Sequence, residues 1–245
     1  MDLQFFGGRG GKSGRKDKSE LVQGVSQEQI DKLRGTRDHQ DILYDQDIIN
    51  DYARVGITIN KEQAQFVREA VYDFSSTKYE DMRNALSKER NGEQLSIYER
   101  NMLNDYKLCE EYCKIAPVYQ GKNTEIYRGI QAREGSDYAQ KLMNLKVGDI
   151  WDLDKMPSSF STDKSVARDY ASVTNGIMIH ASTKNLKNSP SIQGLARHKG
   201  EKEILVAKYD WKITKIDDQR IVDDPTKSIF EQRLGKDGFY HVYIE

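Results

Sequence analysis

The chain has 245 residues and a formal net charge of −1, so it lacks the basic excess that nucleic-acid binders usually carry. No stretch is long and apolar enough for a transmembrane helix, and Asp2 in the opening MDLQFFGG stands where a secretory signal has positive charge. We therefore expect no nucleic-acid partner, no membrane partner and no signal peptide.

The first 20 residues combine a short apolar stretch with Gly, Ser, Lys and Arg. Such a segment cannot bury enough apolar surface to fold alone, which predicts a flexible basic tail. It is either a plain linker or a docking peptide, and Leu3, Phe5 and Phe6 are the reason to consider docking. We predict a helical or disordered extension over residues 21–54 and a single domain over residues 55–245.

Helical periodicity dominates the chain up to Pro117. Two pairs of residues are typical of capping boxes that begin helices. They are Asn60 with Gln63 and Ser96 with Glu99. Cys109 and Cys113 share one face of the second of these helices, and we predict core packing because no histidine lies near them in sequence.

After Pro117 the pattern changes to short runs rich in β-branched and aromatic residues, which predict strands. The runs are TEIYRGI, GDIWDL, NGIMIHAS, EILVAKY, WKITKI and FYHVYI. One helix interrupts them, with cap candidates at residues 161–163 and a predicted buried side formed by Val166, Ala167, Tyr170 and Ala171. Helices followed by strands indicate an α+β domain.

The first candidate site residue is Arg128, which lies within an apolar run. An arginine there must meet an anion or reach solvent, and its planar fork suits a phosphate. The following Gly129 lets a ligand approach the backbone closely. The alternative is an arginine that pairs with a structural carboxylate.

The second candidate is the serine-rich segment SSFSTD, residues 158–163. Its hydroxyl groups either cap the following helix or orient a catalytic carboxylate.

The third candidate is the pair Glu201 and Glu203 at the start of the run EILV. In a strand these side chains share one face about 7 Å apart, which predicts a cationic partner between them. Charges that keep an edge strand soluble are the alternative.

In chain order, Arg128 in YRG, the motif Ser159-Phe160-Ser161 and the motif Glu201-Lys202-Glu203 resemble the arginine, serine and glutamate motifs of the toxin-like mono-ADP-ribosyltransferases. The serine motif of the family can also be aligned with Ser161-Thr162-Asp163. The resemblance covers roughly residues 55–245. It implies an N-terminal helical layer packed on a split, mixed β-sandwich.

The resemblance further implies that NAD+ is consumed as a substrate, with no separate cofactor and no metal. Arg128 would bind its diphosphate or the adjacent ribose, and the backbone of Arg128 and Gly129 would bind the nicotinamide amide. Ser159 and Ser161 would line the same site. Tyr79 resembles a helix tyrosine that lines the nucleotide site in the toxin relatives.

For catalysis, the resemblance implies that Glu203 binds the nicotinamide ribose and that Ser159 orients Glu203. Glutamate at position 201 implies arginine as the acceptor, because family members with glutamate there generally modify arginine. Members with glutamine there favour other side chains. The loop from Gln193 to Gly200 would help to choose the protein target. The alternatives are an NAD glycohydrolase on the same fold and a structural protein with a vestigial site.

The opening MDLQFFGGRGG resembles the start of proteins encoded among the head genes of prophages in Gram-positive bacteria. This second resemblance implies phage head proteins as partners of residues 1–20. It places the protein in a phage virion, in the cytoplasm of the bacterial host, or in both.

Overall fold

The structure is a computed structural model, and it describes residues 21, 24–37, 44–131, 137–152, 155–171, 176–184, 186–221 and 225–245. The predicted tail, residues 1–20, lies outside the described residues, so its association with phage head proteins stays a prediction. None of the described helices is long and apolar enough to cross a membrane.

Five of the described helices form the N-terminal layer. They are α1 (Gln27–Leu33), α2 (Asp45–Arg54), α3 (Lys61–Phe74), α4 (Tyr79–Arg90) and α5 (Ile97–Ile115). Both predicted capping boxes are confirmed, since the side chains of Asn60 and Ser96 accept the N–H groups of Gln63 and Glu99 and the return bonds are also made. Cys109 and Cys113 are free thiols, and both are buried in α5.

The extension before residue 55 contributes to this layer. Ile30 and Tyr52 are buried in the same apolar cluster as the core residues of α3 and α5. Asp51, which is fully buried, accepts a hydrogen bond from Tyr112 of α5 at 2.8 Å and forms an ion pair with Arg37. Burying a carboxylate is tolerable only with such partners, so these contacts fix α2 against α5. The division of the chain at residues 20 and 54 stays a prediction.

The described residues also form nine short strands and three further helices, and all of these but the first strand follow the helical layer in the chain. The strands are β1 (Thr36–Arg37), β2 (Val118–Tyr119), β3 (Glu125–Ile130), β4 (Ile150–Trp151), β5 (Ser158–Ser161), β6 (Ile177–Ser182), β7 (Glu203–Val206), β8 (Trp211–Asp218) and β9 (Tyr240–Ile244). The helices are α6 (Asp137–Met143), α7 (Lys164–Ala171) and α8 (Ile229–Arg233). Seven strands form one mixed sheet in the order β4-β8-β9-β6-β3-β5-β7, in which only β6 and β9 pair in parallel among the described strands. The predicted α+β class, with a helical layer on a mixed β structure, is confirmed.

The edge strand β7 joins the two layers. Ile204 and Val206 belong to the sheet core, whereas Leu205 packs into the cluster of the helical layer. Because side chains alternate along a strand, Glu203 shares the face of Leu205 and points to the helical side.

The neighbouring strands β3 and β5 pair at a single described position, where Tyr127 lies opposite Ser161. Among the described residues the two strands form no other pair, so the sheet is split beside Arg128.

Candidate active site

A cavity of about 400 Å³ lies between the helical layer and the split sheet. Its walls come from the α3–α4 connection, β3, β5, α7 and the segment leading into β7. All seven site residues predicted from the sequence line it. They are Tyr79, Arg128, Gly129, Ser159, Ser161, Glu201 and Glu203.

Glu203 begins β7 and is only 5% exposed. Burial raises the pKa of its carboxyl group to about 7, and the nearby charge of Glu201 raises it further. A side-chain hydrogen bond with Ser159 and the positive charge of Arg128 act in the opposite direction. Glu203 is therefore a buried carboxyl group whose pKa is strongly raised within the cavity, as expected of a functional acid or base.

Glu201 does not lie on the strand, which corrects the expectation that the two glutamates share one strand face. It ends a 3-10 turn over Lys199–Glu201, and Lys202 follows in the left-handed conformation with φ 49°. This sparsely populated backbone conformation turns the chain between the two glutamates. Both carboxylates still line the same cavity, and the negative charge of Glu201 raises the pKa of Glu203.

Two serines of β5 support the two glutamates in different ways. Ser159 hydrogen-bonds the carboxylate of Glu203. Ser161, which lies opposite Glu203 in the ladder, donates to the backbone carbonyl of Glu201 at 2.6 Å. The Ser161 hydroxyl also accepts the N–H of Asp163 at 2.9 Å. Both alternative registers of the serine motif therefore place a hydroxyl at the site, and SSFS forms a strand rather than only a helix cap.

Arg128 lies on β3 where the sheet splits, and its Nη1 donates to the carbonyl of Ser159 at 3.4 Å. Its Nε is buried without a hydrogen-bond partner among the described residues. A buried, unpaired donor on a permanent cation is costly in isolation, which favours an anionic ligand in this cavity.

Gly129 serves a purpose that the sequence analysis did not assign. A Cβ atom at this position would lie 1.8 Å from the carbonyl oxygen of Ala167 and 2.7 Å from the N atom of Ala171. The missing side chain therefore lets α7 pack directly on β3. Gly129 also lines the cavity, and close approach of a ligand to its backbone stays a prediction.

The sequence analysis missed Tyr170 as a site residue and predicted it to be buried. Tyr170 is 49% exposed, lines the cavity, and donates from its hydroxyl to Glu201 Oε1 at 2.9 Å. Tyr170 lies one helical turn after Ala167, at the border of the buried face of α7. Its polar hydroxyl was the feature of the sequence that could have indicated a contact with a polar partner.

Three further cavity residues have basic side chains. They are Arg83, Arg197 and His198. The N–H of Arg197 donates to Ser75 Oγ at 2.8 Å, which ties the loop before Glu201 to the α3–α4 connection. The described residues include no cluster of three or more His, Cys, Asp or Glu side chains that could hold a metal ion.

No protein-family model matches the chain, and no curated protein matches it. Solved structures do match. Vis, an ADP-ribosyltransferase toxin from Vibrio splendidus, superposes with a TM-score of 0.51 at 17% identity, over 92% of this chain and 88% of the toxin. The chain has the fold of an ADP-ribosyltransferase toxin. The complex of Vis with the inhibitor M6 matches similarly, with a TM-score of 0.52 at 17% identity over 94% of this chain and 88% of that chain.

Proposed function

We propose that the protein is a mono-ADP-ribosyltransferase that transfers ADP-ribose from NAD+ to arginine side chains and releases nicotinamide. One observation carries the proposal: on a toxin-like ADP-ribosyltransferase fold, Glu203, Glu201, Ser159 and Arg128 meet in one cavity. The assignment of arginine rests on the second glutamate and on the resemblance of the motif E-x-E.

Arg128 binds the diphosphate or the adjacent ribose of NAD+ in this proposal. Its guanidinium cannot lose its charge, and the unpaired Nε supplies a charge-assisted hydrogen bond. The backbone of Arg128 and Gly129 binds the nicotinamide amide. Tyr79, which is 36% exposed at the start of α4, supplies an aromatic surface at the edge of the nucleotide site.

Glu203 supports the bond-breaking step. Its carboxylate accepts a hydrogen bond from the 2′-hydroxyl of the nicotinamide ribose. The bond between ribose C1′ and the pyridinium nitrogen breaks, the electron pair leaves with neutral nicotinamide, and positive charge develops on the ribose. A carboxylate in a buried site stabilises that charge, as in glycoside hydrolysis.

Glu201 supports the bond-forming step. Its carboxylate binds the acceptor guanidinium, a nitrogen of which attacks C1′ and forms the new N-glycosidic bond. The proton lost from that nitrogen passes to Glu201.

The direct test is incubation of the full chain with NAD+ and agmatine, a small guanidine acceptor. We expect nicotinamide release together with an ADP-ribosyl agmatine adduct in the mass spectrum. Nicotinamide without an adduct would favour NAD+ hydrolysis on the same fold. No consumption of NAD+ would contradict the enzymatic proposal and favour a structural role.

Glu201→Gln separates transfer from hydrolysis. We expect adduct formation to fall about a hundredfold, because an ionised hydrogen-bond acceptor and a proton acceptor are both lost. Nicotinamide release in the absence of agmatine should decline much less. If adduct formation by Glu201→Gln instead stays at the level of the unaltered chain, Glu201 does not bind the acceptor and the proposed role of this residue is wrong.

Ser159→Ala should change the pH dependence of the reaction. Ionised Glu203 is required, so kcat/KM for NAD+ should rise as pH increases through about 7, the pKa of this group. Removing the Ser159 hydrogen bond removes an interaction that lowers this pKa. We therefore expect activity to fall about fivefold at pH 6.5 and much less at pH 9.

Ser158→Ala is the matched control, because Ser158 is the adjacent strand residue and does not shift the pKa of Glu203. Its pH profile should match that of the unaltered chain. If the low-pH part of the kcat/KM profile is unchanged in Ser159→Ala, Ser159 does not lower the pKa of Glu203.

A further inference from the structure

The hydrogen bond between Tyr170 and Glu201 crosses from one structural element to another at the cavity. Tyr170 lies on α7, whereas Glu201 ends the 3-10 turn before β7. The donor hydroxyl and Glu201 Oε1 are 2.9 Å apart. This contact therefore connects a helix packed on the sheet to a turn that is not itself paired with any described strand.

The two partners differ in how firmly the backbone holds them. Ala167 and Ala171 place α7 directly against Gly129, so the helix that carries Tyr170 has little freedom to shift. The backbone of Glu201 is held by Ser161 Oγ at 2.6 Å. A glutamate side chain retains several rotamers on such an anchored backbone, and a second contact is needed to select one of them.

The contact involves only one oxygen of the Glu201 carboxylate. Among the described residues, Oε2 of Glu201 has no hydrogen-bond partner, whereas Oε1 accepts from Tyr170. A guanidinium group presents several N–H donors in a plane and can use the remaining oxygen. The half-exposed Tyr170 ring beside it offers an aromatic surface of the kind on which a planar cation packs.

We infer that Tyr170 is a positioning residue that holds the Glu201 carboxylate ready for the acceptor guanidinium, and so determines how much ADP-ribose goes to an acceptor rather than to water. This inference rests on the proposed function. Tyr170 acts through Glu201 and takes no part in breaking the bond to nicotinamide.

The phenol remains a donor over the working range of the enzyme. Burial and the contact with Glu201 raise the pKa of Tyr170 to about 12, so the hydroxyl stays protonated at neutral pH. The hydroxyl therefore remains a donor between about pH 7, where Glu203 becomes ionised, and about pH 11.

Tyr170→Phe tests the inference, because it keeps the ring and removes only the hydroxyl. With NAD+ and agmatine, the measured quantity is the ratio of ADP-ribosyl agmatine to free ADP-ribose. We expect the ratio to fall about tenfold and KM for agmatine to rise, as loss of one hydrogen bond to a carboxylate predicts. A purely structural role of Tyr170 would lower both products together and leave the ratio unchanged.

Tyr98→Phe is the matched control. Tyr98 is 52% exposed on α5 and likewise donates to a carboxylate, Asp81, at 2.5 Å, but it does not line the cavity. Its product ratio should equal that of the unaltered chain.

A double variant tests whether Tyr170 acts through Glu201. Once Glu201→Gln is present, adding Tyr170→Phe should change the ratio by less than about twofold. The effects of substituting two residues in contact do not add when one residue acts through the other. A further tenfold fall would overturn the inference. If the unaltered chain forms the adduct and Tyr170→Phe leaves the ratio unchanged, only this inference fails, whereas absence of adduct from the unaltered chain contradicts the proposed transfer.

Discussion

Glu203→Gln is expected to lower the rate of nicotinamide release by about a thousandfold. The substitution keeps the size and a hydrogen-bond acceptor but removes the negative charge beside the developing cation on the ribose. In a buried site this charge interaction is poorly screened, since Glu203 is only 5% exposed. The measurement is single-turnover nicotinamide release at pH 8, where the native carboxyl group is ionised.

The same variant should be more stable than the unaltered chain above neutral pH. The pKa of Glu203 is raised from an ordinary 4.5 to about 7, so the folded protein binds this proton more tightly than the unfolded chain does. Stability therefore falls as pH rises between these two values, and the buried charge costs about 3 kcal/mol at pH 8. We expect urea unfolding of Glu203→Gln to show most of that gain at pH 8 and little at pH 4.5.

The opposite signs of these effects make the outcome decisive. A variant that is inactive and also more stable has lost a chemical group and not its fold. Glu201→Gln serves as the control for stability, because it removes a half-buried carboxylate two residues away and should change unfolding by less than about 0.5 kcal/mol. A Glu203→Gln variant that keeps a tenth or more of the native rate would contradict the proposed role of this carboxylate.

The sequence predicted the regular parts of the fold because local chemistry determines them. The capping boxes at Asn60 and Ser96 set the starts of α3 and α5, and β-branched runs predicted β3, β6 and β9. The strand β5 was missed because SSFS has no β-branched residue, and its extended form comes from pairing with β7.

The geometry around the glutamates could not be predicted from local pattern. Lys202 adopts a left-handed conformation that lysine rarely takes, so no glycine or asparagine marked the turn between Glu201 and Glu203. The exposure of Tyr170 likewise depends on the elements that meet around the cavity. Residue order along the chain identified the members of the site, whereas their contacts come from tertiary packing.

Gly129→Ala is the second large effect that we expect, and it acts on stability. The new Cβ atom would meet backbone atoms of α7, which cannot move aside as a flexible side chain could. Relief requires α7 to shift away from β3, and overpacking of this kind costs roughly 3 kcal/mol. Urea unfolding at pH 7 measures the loss directly.

Gly200→Ala is the matched control, because a Cβ atom at Gly200 has no heavy atom within 4 Å apart from its chain neighbours. Gly200 precedes Glu201 in the chain, so the pair of variants compares two glycines next to site residues that differ in the space around them. We expect Gly200→Ala to change stability by less than about 0.5 kcal/mol. Equal stability of the two variants would contradict the direct packing of α7 on β3. If Gly129→Ala folds with a shifted helix, the contact of Tyr170 with Glu201 moves too, and the ratio of adduct to hydrolysis should fall with it.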